Sequence, residues 1–479
     1  MSSRSKSGAD DSDCQFSPVV LMCGTNFDNA DGDVYGGDMI PATAWEGNSY
    51  EALQTKLQHL DEEKREELSR RLWQHPAVFG TVPGRTTWAV HDIDEGDEKP
   101  VKLPPYRLNP IRQEALEKEI DYMLKHDLIK KGYSEWSSPV TLQPKPDGKI
   151  RLCVDFRKVN LLSTTDTYPL PRVDDSVDLV GKATFITKFD LVKGYWQVPL
   201  TERARKVASF VVSGAVYQCQ AMPYGLKNAP ATFQRLMNRV VDGIPNCSVY
   251  IDDVIIYDTV WEDHLNHVER LVSRLEEAGL VVNLSKCEFV KAEVQYLGYI
   301  VGHGRVVPPQ AKIEAINSFS RPQCRRALQR FLGMIGYYRR FIKDYSTVLA
   351  PLTDLLKKDV KWNWSEKCEH AFKAVKSMLS NFPILRAPDF ERPFSLAVDA
   401  SKVGVGAVLL QPDDLGVEHP VSYFSKKFNK AQQNYSVIEQ ELLAIILALQ
   451  HFGVYVPPFG PRITIYSDHH PFQFLSKFK

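Results

Sequence analysis

With 479 residues, 43% of them hydrophobic, 11% aromatic and 25% charged, the chain is too long for a single hydrophobic core and too apolar for a disordered polymer, so about three or four folding units are expected. The formal charge is zero, yet residues 1–50 hold eight acids against Arg4 and Lys6, and the basic surplus therefore belongs to the remaining chain. The cysteines at 14, 23, 153, 219, 247, 287, 324 and 368 form no Cys-x-x-Cys pair and no Cys/His cluster of zinc spacing. There is also no signal-peptide pattern and no apolar run of bilayer length, so we expect a soluble cytoplasmic or nuclear protein with reduced thiols and no membrane partner.

In chain order, residues 1–48 are rich in Ser, Asp and Gly with little periodicity and are expected to be a disordered leader. A helical pattern follows from Tyr50 to Trp73 (Leu53, Leu57, Leu60, Leu68, Leu72) and ends before Pro76, within an N-terminal helical and extended region set at 49–99. A second helix is predicted from Pro110 to Lys125. Short strands then alternate with turns: Val140–Leu142, Ile150–Val154 and Thr184–Phe189, with Pro146-Asp147-Gly148 and Pro169-Leu170-Pro171 as punctuation. Phe233, Leu236, Met237, Val240 and Val241 lie at helical spacing behind Pro230, and Leu265, Val268, Leu271, Val272 and Leu275 repeat the pattern before Gly279. A further helix carries Leu328, Leu332, Ile335 and Phe341 inside residues 301–390, where sixteen Lys and Arg face seven Asp and Glu. Such a surplus suits a polyanionic partner, and a solvated surface explains it nearly as well. The layout is α+β.

The chemistry concentrates at Tyr250-Ile251-Asp252-Asp253. Apolar β-branched runs on both sides place the two acids at or near the tip of a hairpin. Adjacent carboxylates repel, which makes a divalent cation a natural partner; a solvated Asp-Asp turn is the alternative. Asp190 closes the upstream strand Thr184–Phe189 and is the candidate third carboxylate. Asp190 and Asp252 suit a two-metal scheme with Mg²⁺, in which one ion activates a 3′-hydroxyl and the other neutralises triphosphate, while Asp253 supports the site. The run from Arg151 to Arg157, with Lys145 and Lys149 just before Arg151, puts guanidinium groups on a strand edge, where such cations can clamp a triphosphate; a solvated basic face is the alternative. Further on, Asp399 closes the run Phe394–Val398, Glu441 sits in a helical segment and Asp468 ends the run Ile463–Ser467, which gives a second possible metal cluster of strand acid, helix acid and strand acid.

Phe189-Asp190-Leu191-Val192-Lys193-Gly194-Tyr195, Met222-Pro223-Tyr224-Gly225-Leu226-Lys227-Asn228-Ala229-Pro230-Ala231-Thr232-Phe233-Gln234, Tyr250-Ile251-Asp252-Asp253 and Tyr296-Leu297-Gly298-Tyr299 stand in the order and spacing of reverse transcriptases. With Ala327–Gly333 and Tyr337–Ile342 downstream, the chain from about residue 100 resembles the polyproteins of gypsy-type (Metaviridae) LTR retrotransposons. The resemblance implies a right-hand polymerase fold (fingers, palm, thumb) over 100–302 with the start of the thumb, a thumb and connection segment over 303–390, and an RNase H-like α/β domain over 391–479. It implies that Asp190, Asp252 and Asp253 are the catalytic triad, that Tyr195 is the aromatic gate under the incoming sugar, that Arg151 contacts triphosphate, and that Tyr224 stacks on the nucleotide. Leu297, Gly298 and Tyr299 resemble the primer grip, and Asp399, Glu441 and Asp468 match three of the four RNase H acids. Eleven residues after Asp468 are too few for the last strand, helix and fourth acid, so the RNase H domain is expected to be truncated and impaired.

The implied activity is RNA-directed DNA polymerisation from deoxynucleoside triphosphates on a primed RNA or DNA template. Two Mg²⁺ per site are implied, with Mn²⁺ as a substitute, and RNA template, DNA primer and RNA–DNA hybrid are the partners. A decayed or domesticated retroelement fragment that binds nucleic acid without catalysis is the alternative.

Overall fold

The computed structural model describes residues 50–144, 150–212, 214–456 and 463–467. The expected leader 1–48, Lys145, Lys149 and Asp468 lie outside them. Two compact units divide the chain between Pro309 and Gln310.

In the first unit, strands β1 (Ile129–Lys131), β2 (Ser138–Pro144), β3 (Ile150–Val154), β5 (Ser209–Val212) and β6 (Ala215–Cys219) form one sheet in the order β1-β6-β5-β2-β3. β4 (Phe185–Asp190), β7 (Cys247–Tyr250), β8 (Asp253–Asp258) and β9 (Glu288–Lys291) form a second, antiparallel sheet in the order β7-β8-β4-β9. A meander of β10 (Glu293–Tyr296), β11 (Tyr299–Gly302) and β12 (Arg305–Val307) follows.

Alternation along β4 and β8 decides what the second sheet buries. Phe189, Val254 and Ile256 belong to one continuous core with Phe233, Leu236, Met237 and Val240 of helix Ala229–Val241 and with Leu265, Val268, Leu271, Val272 and Leu275 of helix Trp261–Glu277. Each fully buried side chain of this kind contributes about 1.5–3 kcal/mol, so the two helices and the sheet cannot be separated cheaply. The acids Asp190 and Asp253 alternate to the opposite face. Gly279 ends the second helix at φ 66°, a left-handed position that favours glycine. Beneath the strands, Asp258 accepts hydrogen bonds from Asn246 Nδ2 (2.8 Å) and engages His264 Nδ1 (2.9 Å) and His267 Nδ1 (3.0 Å), and His264 Nε2 meets Thr187 Oγ1 at 2.8 Å. This buried polar knot ties β8, β4 and helix Trp261–Glu277 together.

Two expectations are corrected. The pattern Tyr50–Trp73 is two helices, Tyr50–Lys56 and Glu62–Trp73, because Asp61 accepts the Lys64 N–H at 2.9 Å and starts a new helix. Arg157 is not on the basic strand: β3 stops at Val154, and Arg157 opens helix Arg157–Leu162 with its guanidinium held by both oxygens of Asp155 (Nε–Oδ1 2.8 Å, Nη2–Oδ2 2.7 Å). Tyr106 donates to the same carboxylate at 3.0 Å.

The second unit begins with helices Gln310–Ser318, Arg325–Tyr337, Tyr345–Val348, Ala350–Asp354 and Glu366–Ser380 and the two-residue strand β13 (Leu385–Arg386). Its sheet has the order β16-β15-β14-β17, from β14 (Ser395–Ala400), β15 (Gly404–Pro412), β16 (Glu418–Lys427) and β17 (Thr464–Tyr466), with β17 parallel to β14. Helix Val437–His451 starts from a capping box made by Ser436 and Glu439, and places Ala444 and Ala448 on Leu396, Val398, Val405 and Leu409. No described helix is long and apolar enough to cross a membrane. The cysteines recorded among the described residues are free thiols.

Candidate active site

β7 and β8 are joined through Ile251 and Asp252, with Tyr250 opposite Asp253 in register. Asp252 therefore lies in the two-residue turn and Asp253 opens β8 beside it, so the acids stand at or near the tip, as their flanks predict. Ile251 is held at φ 56°, a left-handed conformation that costs a β-branched residue on the order of 1–3 kcal/mol. What holds it there is Gln234, fully buried on helix Ala229–Val241. Its Oε1 accepts the Ile251 N–H at 2.7 Å, and its Nε2 donates to the Val249 carbonyl at 3.0 Å and to Asn238 Oδ1 at 2.9 Å.

β4 brings the third acid. Asp190 is opposite Asp253 in the β4–β8 register. Each has a lysine: Lys188 Nζ lies 3.2 Å from Asp253 Oδ1, and Lys286 Nζ lies 3.7 Å from Asp190 Oδ1. Asp252 is differently placed. Burial, and then the neighbouring Asp253 charge, push its pKa well above the ordinary carboxylate range. Burial also raises Asp190, against the pull of Lys286. Among the described residues no group of three or more His, Cys, Asp and Glu side chains is arranged for a metal ion. Asp190 and Asp252 are nevertheless hard oxygen donors beside a desolvated charge, and Mg²⁺ is commonly held by one or two carboxylates with water and phosphate oxygens completing the shell, so the donor set fits it.

After Asp190 the chain turns back on the acids. A Cβ added at Gly194 would sit 3.1 Å from Phe233 Cζ and 3.4 Å from Asp252 Cβ, so a side chain here would press on the Phe233 ring, which would have to give by a few tenths of an ångström. Tyr195 follows, 8% exposed, its ring 5.2 Å from Tyr224 and 5.3 Å from Phe233. Burial and then the Asp252 charge raise the pKa of its phenol, which stays protonated. Tyr224 is 40% exposed beside it. The loop carrying Tyr224 is fixed by Asn160, which donates from Nδ2 to the Gly225 carbonyl at 2.8 Å and accepts the Lys227 N–H at 2.9 Å. Arg151 lies on β3, an edge strand, opposite Gln143.

Leu297 and Gly298 form the two-residue turn between β10 and β11, at φ 45° and 75°, signs that a type I′ hairpin turn requires. Leu297 is half-exposed there, whereas Tyr299 is buried at 2%. In the second unit Asp399 is exposed and pairs with Gly406 across β14 and β15, and Glu441 is buried at 5% on helix Val437–His451. Alternation sends Asp399 to the face of β14 opposite Leu396 and Val398.

Three residues that the sequence reading did not single out belong to this site: Gln234, Lys188 and Lys286. A lone lysine inside the apolar run Phe185–Phe189 is a signal for the second. Nothing local marks the other two.

An acid-ended strand thus stands in register with an acid turn and is backed by two helices. Residues 143–301 match the family of reverse transcriptases (RNA-dependent DNA polymerases), and residues 364–465 match the RNase H-like domain found in reverse transcriptases. Among similar proteins, the Retrovirus-related Pol polyprotein from transposon 297 of Drosophila melanogaster is 36% identical over 438 residues, covering 89% of this chain and 41% of its own length. The Transposon Tf2-3 polyprotein of Schizosaccharomyces pombe is 34% identical over 366 residues, covering 76% of this chain and 28% of its own length. The foamy viral protease-reverse transcriptase, solved in complex with dsDNA, shares the fold at a TM-score of 0.79 with 23% identity, over 90% of this chain and 91% of that one. The chain belongs to the Pol polyproteins of gypsy-type LTR retrotransposons and carries their reverse transcriptase and RNase H-like domains. It spans less than half the length of these relatives.

Proposed function

We propose that this chain is an RNA-directed DNA polymerase that extends a DNA primer on an RNA or DNA template from deoxynucleoside triphosphates. The observation that carries the reading is the register of Asp190 with Asp253 beside the desolvated Asp252, under the turn that delivers Tyr195.

Asp190 and Asp252 would hold Mg²⁺, or Mn²⁺ in its place. Two ions bound there supply the activation of the primer 3′-hydroxyl and the neutralisation of triphosphate charge. The chain's own residues do the positioning. Gln234 keeps the strained turn in one shape, so Asp252 points to one place in every turnover. Tyr195, whose ring packs against Tyr224 and Phe233, is in this reading the gate that lies under the incoming sugar and excludes a 2′-hydroxyl. Tyr224, the more exposed ring, offers a stacking face to the nucleotide, and Arg151 with Lys145 and Lys149 clamps the triphosphate. Leu297 and Gly298, at a half-exposed turn, hold the primer together with the backbone at Tyr299. In this reading the fingers and palm run from about 100 to 302 and the thumb and connection from 303 to 390. In the domain from 391, Asp399, Glu441 and Asp468 stand at three of the four acid positions by which RNase H domains act on the RNA strand of a hybrid.

The test is extension of an end-labelled DNA primer on an RNA template by the purified chain. Product is expected with Mg²⁺ and all four nucleotides and none with EDTA. Binding of the primed template without extension in either Mg²⁺ or Mn²⁺ would sink the reading.

A further inference from the structure

Lys188 is a cation inside a strand that is otherwise built for burial, Phe185-Ile186-Thr187-Lys188-Phe189-Asp190. It pairs with Ile255 on β8 and with Glu288 on β9, and alternation puts it on the same face of β4 as Asp190. Its ammonium makes two contacts that are far apart in sequence. It lies 3.2 Å from Asp253 Oδ1, at the acid turn, and donates to the backbone carbonyl of Gln295 at 3.2 Å, in β10. Gln295 stands two residues before the Leu297–Gly298 turn. One ammonium thus joins the strand that starts at the acid turn to the strand that leads into the turn assigned to the primer.

The alternative to be weighed is plain charge neutralisation. Asp253 would be answered by any cation in reach, and the bond to Gln295 would then be incidental. Two features favour more. β10 is not a member of the sheet that carries the acids, whose order is β7-β8-β4-β9, so no ladder hydrogen bond within that sheet fixes β10 against it. The carbonyl bond is also specific to a side chain long enough to reach from β4 past Asp253, and a lysine has three donors to divide between such acceptors.

We propose that Lys188 is a positioning residue for nucleotidyl transfer: by holding Asp253 and the Gln295 carbonyl on one ammonium, it fixes the spacing between the acid turn and the primer-holding turn. The inference rests on the polymerase reading and deepens it. Misplacement by about 1 Å of a reacting group can cost on the order of a hundredfold in rate, so a loosened clamp is felt in the chemical step before it is felt in binding.

The test compares Lys188→Met and Lys188→Arg with the wild type, using a primed RNA template with 2-aminopurine at the primer 3′ terminus. Lys188→Met is expected to lower kcat roughly ten- to a hundredfold, with nucleotide KM and primer-template Kd held within about twofold. It should also shift the 2-aminopurine fluorescence of the complex in the absence of nucleotide, a readout that needs no catalysis. Lys188→Arg keeps the charge at a different length and is expected to fall between the two in both measurements. A folded Lys188→Met with wild-type kcat and wild-type fluorescence overturns the proposal. So does a lower kcat with unchanged fluorescence, which would assign Lys188 to neutralising Asp253 alone. If Lys188→Met does not fold, wild-type values in both readouts for Lys188→Arg overturn it equally. Failure of the wild type itself to extend the primer is a separate result: it removes the polymerase reading, and this inference with it.

Discussion

The chain carries two sets of acids, and they are held in different ways. At the acid turn, Asp252 and Asp253 are braced from several directions: Gln234 from helix Ala229–Val241, Lys188 from β4, Lys286 on the facing Asp190, and the close approach of Gly194. Asp399 in the second unit stands exposed near a strand end, opposite a glycine, and the charge recorded beside it is another acid, Asp344. The first site therefore stores a cost, conformational at the strained Ile251 and electrostatic at the desolvated Asp252, and meets it with fixed partners. The second leaves its strand acid to solvent. Preorganisation belongs to the first site, and changes there should be felt at a distance while changes at the second stay local.

That contrast can be broken in graded ways. The largest effect on stability is expected from His91, which is 2% exposed in the first unit with its Nδ1 2.8 Å from Thr232 Oγ1, on the same helix as Gln234. Burial lowers its pKa from 6.5 to about 4, against the pull of Asp92 and Asp166. The unfolded chain therefore binds a proton that the folded chain refuses. The stabilisation is complete above the unfolded value and is lost as pH falls towards the folded one, amounting to about 3 kcal/mol over that window. Urea midpoints measured from pH 7 to pH 4 should fall more steeply for the wild type than for His91→Gln; parallel slopes would show that the imidazole is not held neutral.

A smaller loss is expected for Gln234→Leu, which leaves the Ile251 N–H buried without its acceptor. It should cost about 1–3 kcal/mol of stability and lower primer extension in protein that remains folded. Unchanged extension would mean that the turn keeps its shape without the helix. The smallest effect is expected for Gly406→Ala. A Cβ there overlaps Asp344 Oδ1, the far end of a side chain that can swing aside. Thermal unfolding should shift by no more than a few degrees, and primer extension should stay at the wild-type rate. A loss of extension would show that the two sites are not independent.

Much of the acid turn was legible in the chain. Val249-Tyr250-Ile251 and Val254-Ile255-Ile256-Tyr257 are β-branched and aromatic runs of strand length and put the acids at or near the tip, although the turn itself falls one residue earlier, on Ile251 and Asp252, and Asp253 opens β8. Asp190 at the end of an apolar run was legible for the same reason, and so were the helix behind Pro230 and the stripe from Leu265 to Leu275, because period alone defines a buried face. What was hidden depends on contacts between distant segments. Gln234 reads as one polar residue on a helix, and only the position of Ile251 seventeen residues later makes it a brace. Arg157 looked like a continuation of a basic strand until Asp155 and Tyr106 claimed its guanidinium. The helix expected from Tyr50 to Trp73 broke at Asp61, where a local cap competed with an unbroken apolar pattern and won.

Asp252, at the tip of the β7–β8 hairpin, is the acid on which the proposed DNA synthesis depends. The direct measurement is the rate of primer extension on an RNA template by Asp252→Asn beside the wild type, with thermal unfolding of both proteins measured alongside. The substitution removes a charge and keeps the shape. Loss of extension by at least about a thousandfold is expected, with the fold retained or somewhat stabilised, since a desolvated carboxylate is relieved. Extension by Asp252→Asn within tenfold of the wild type would contradict it.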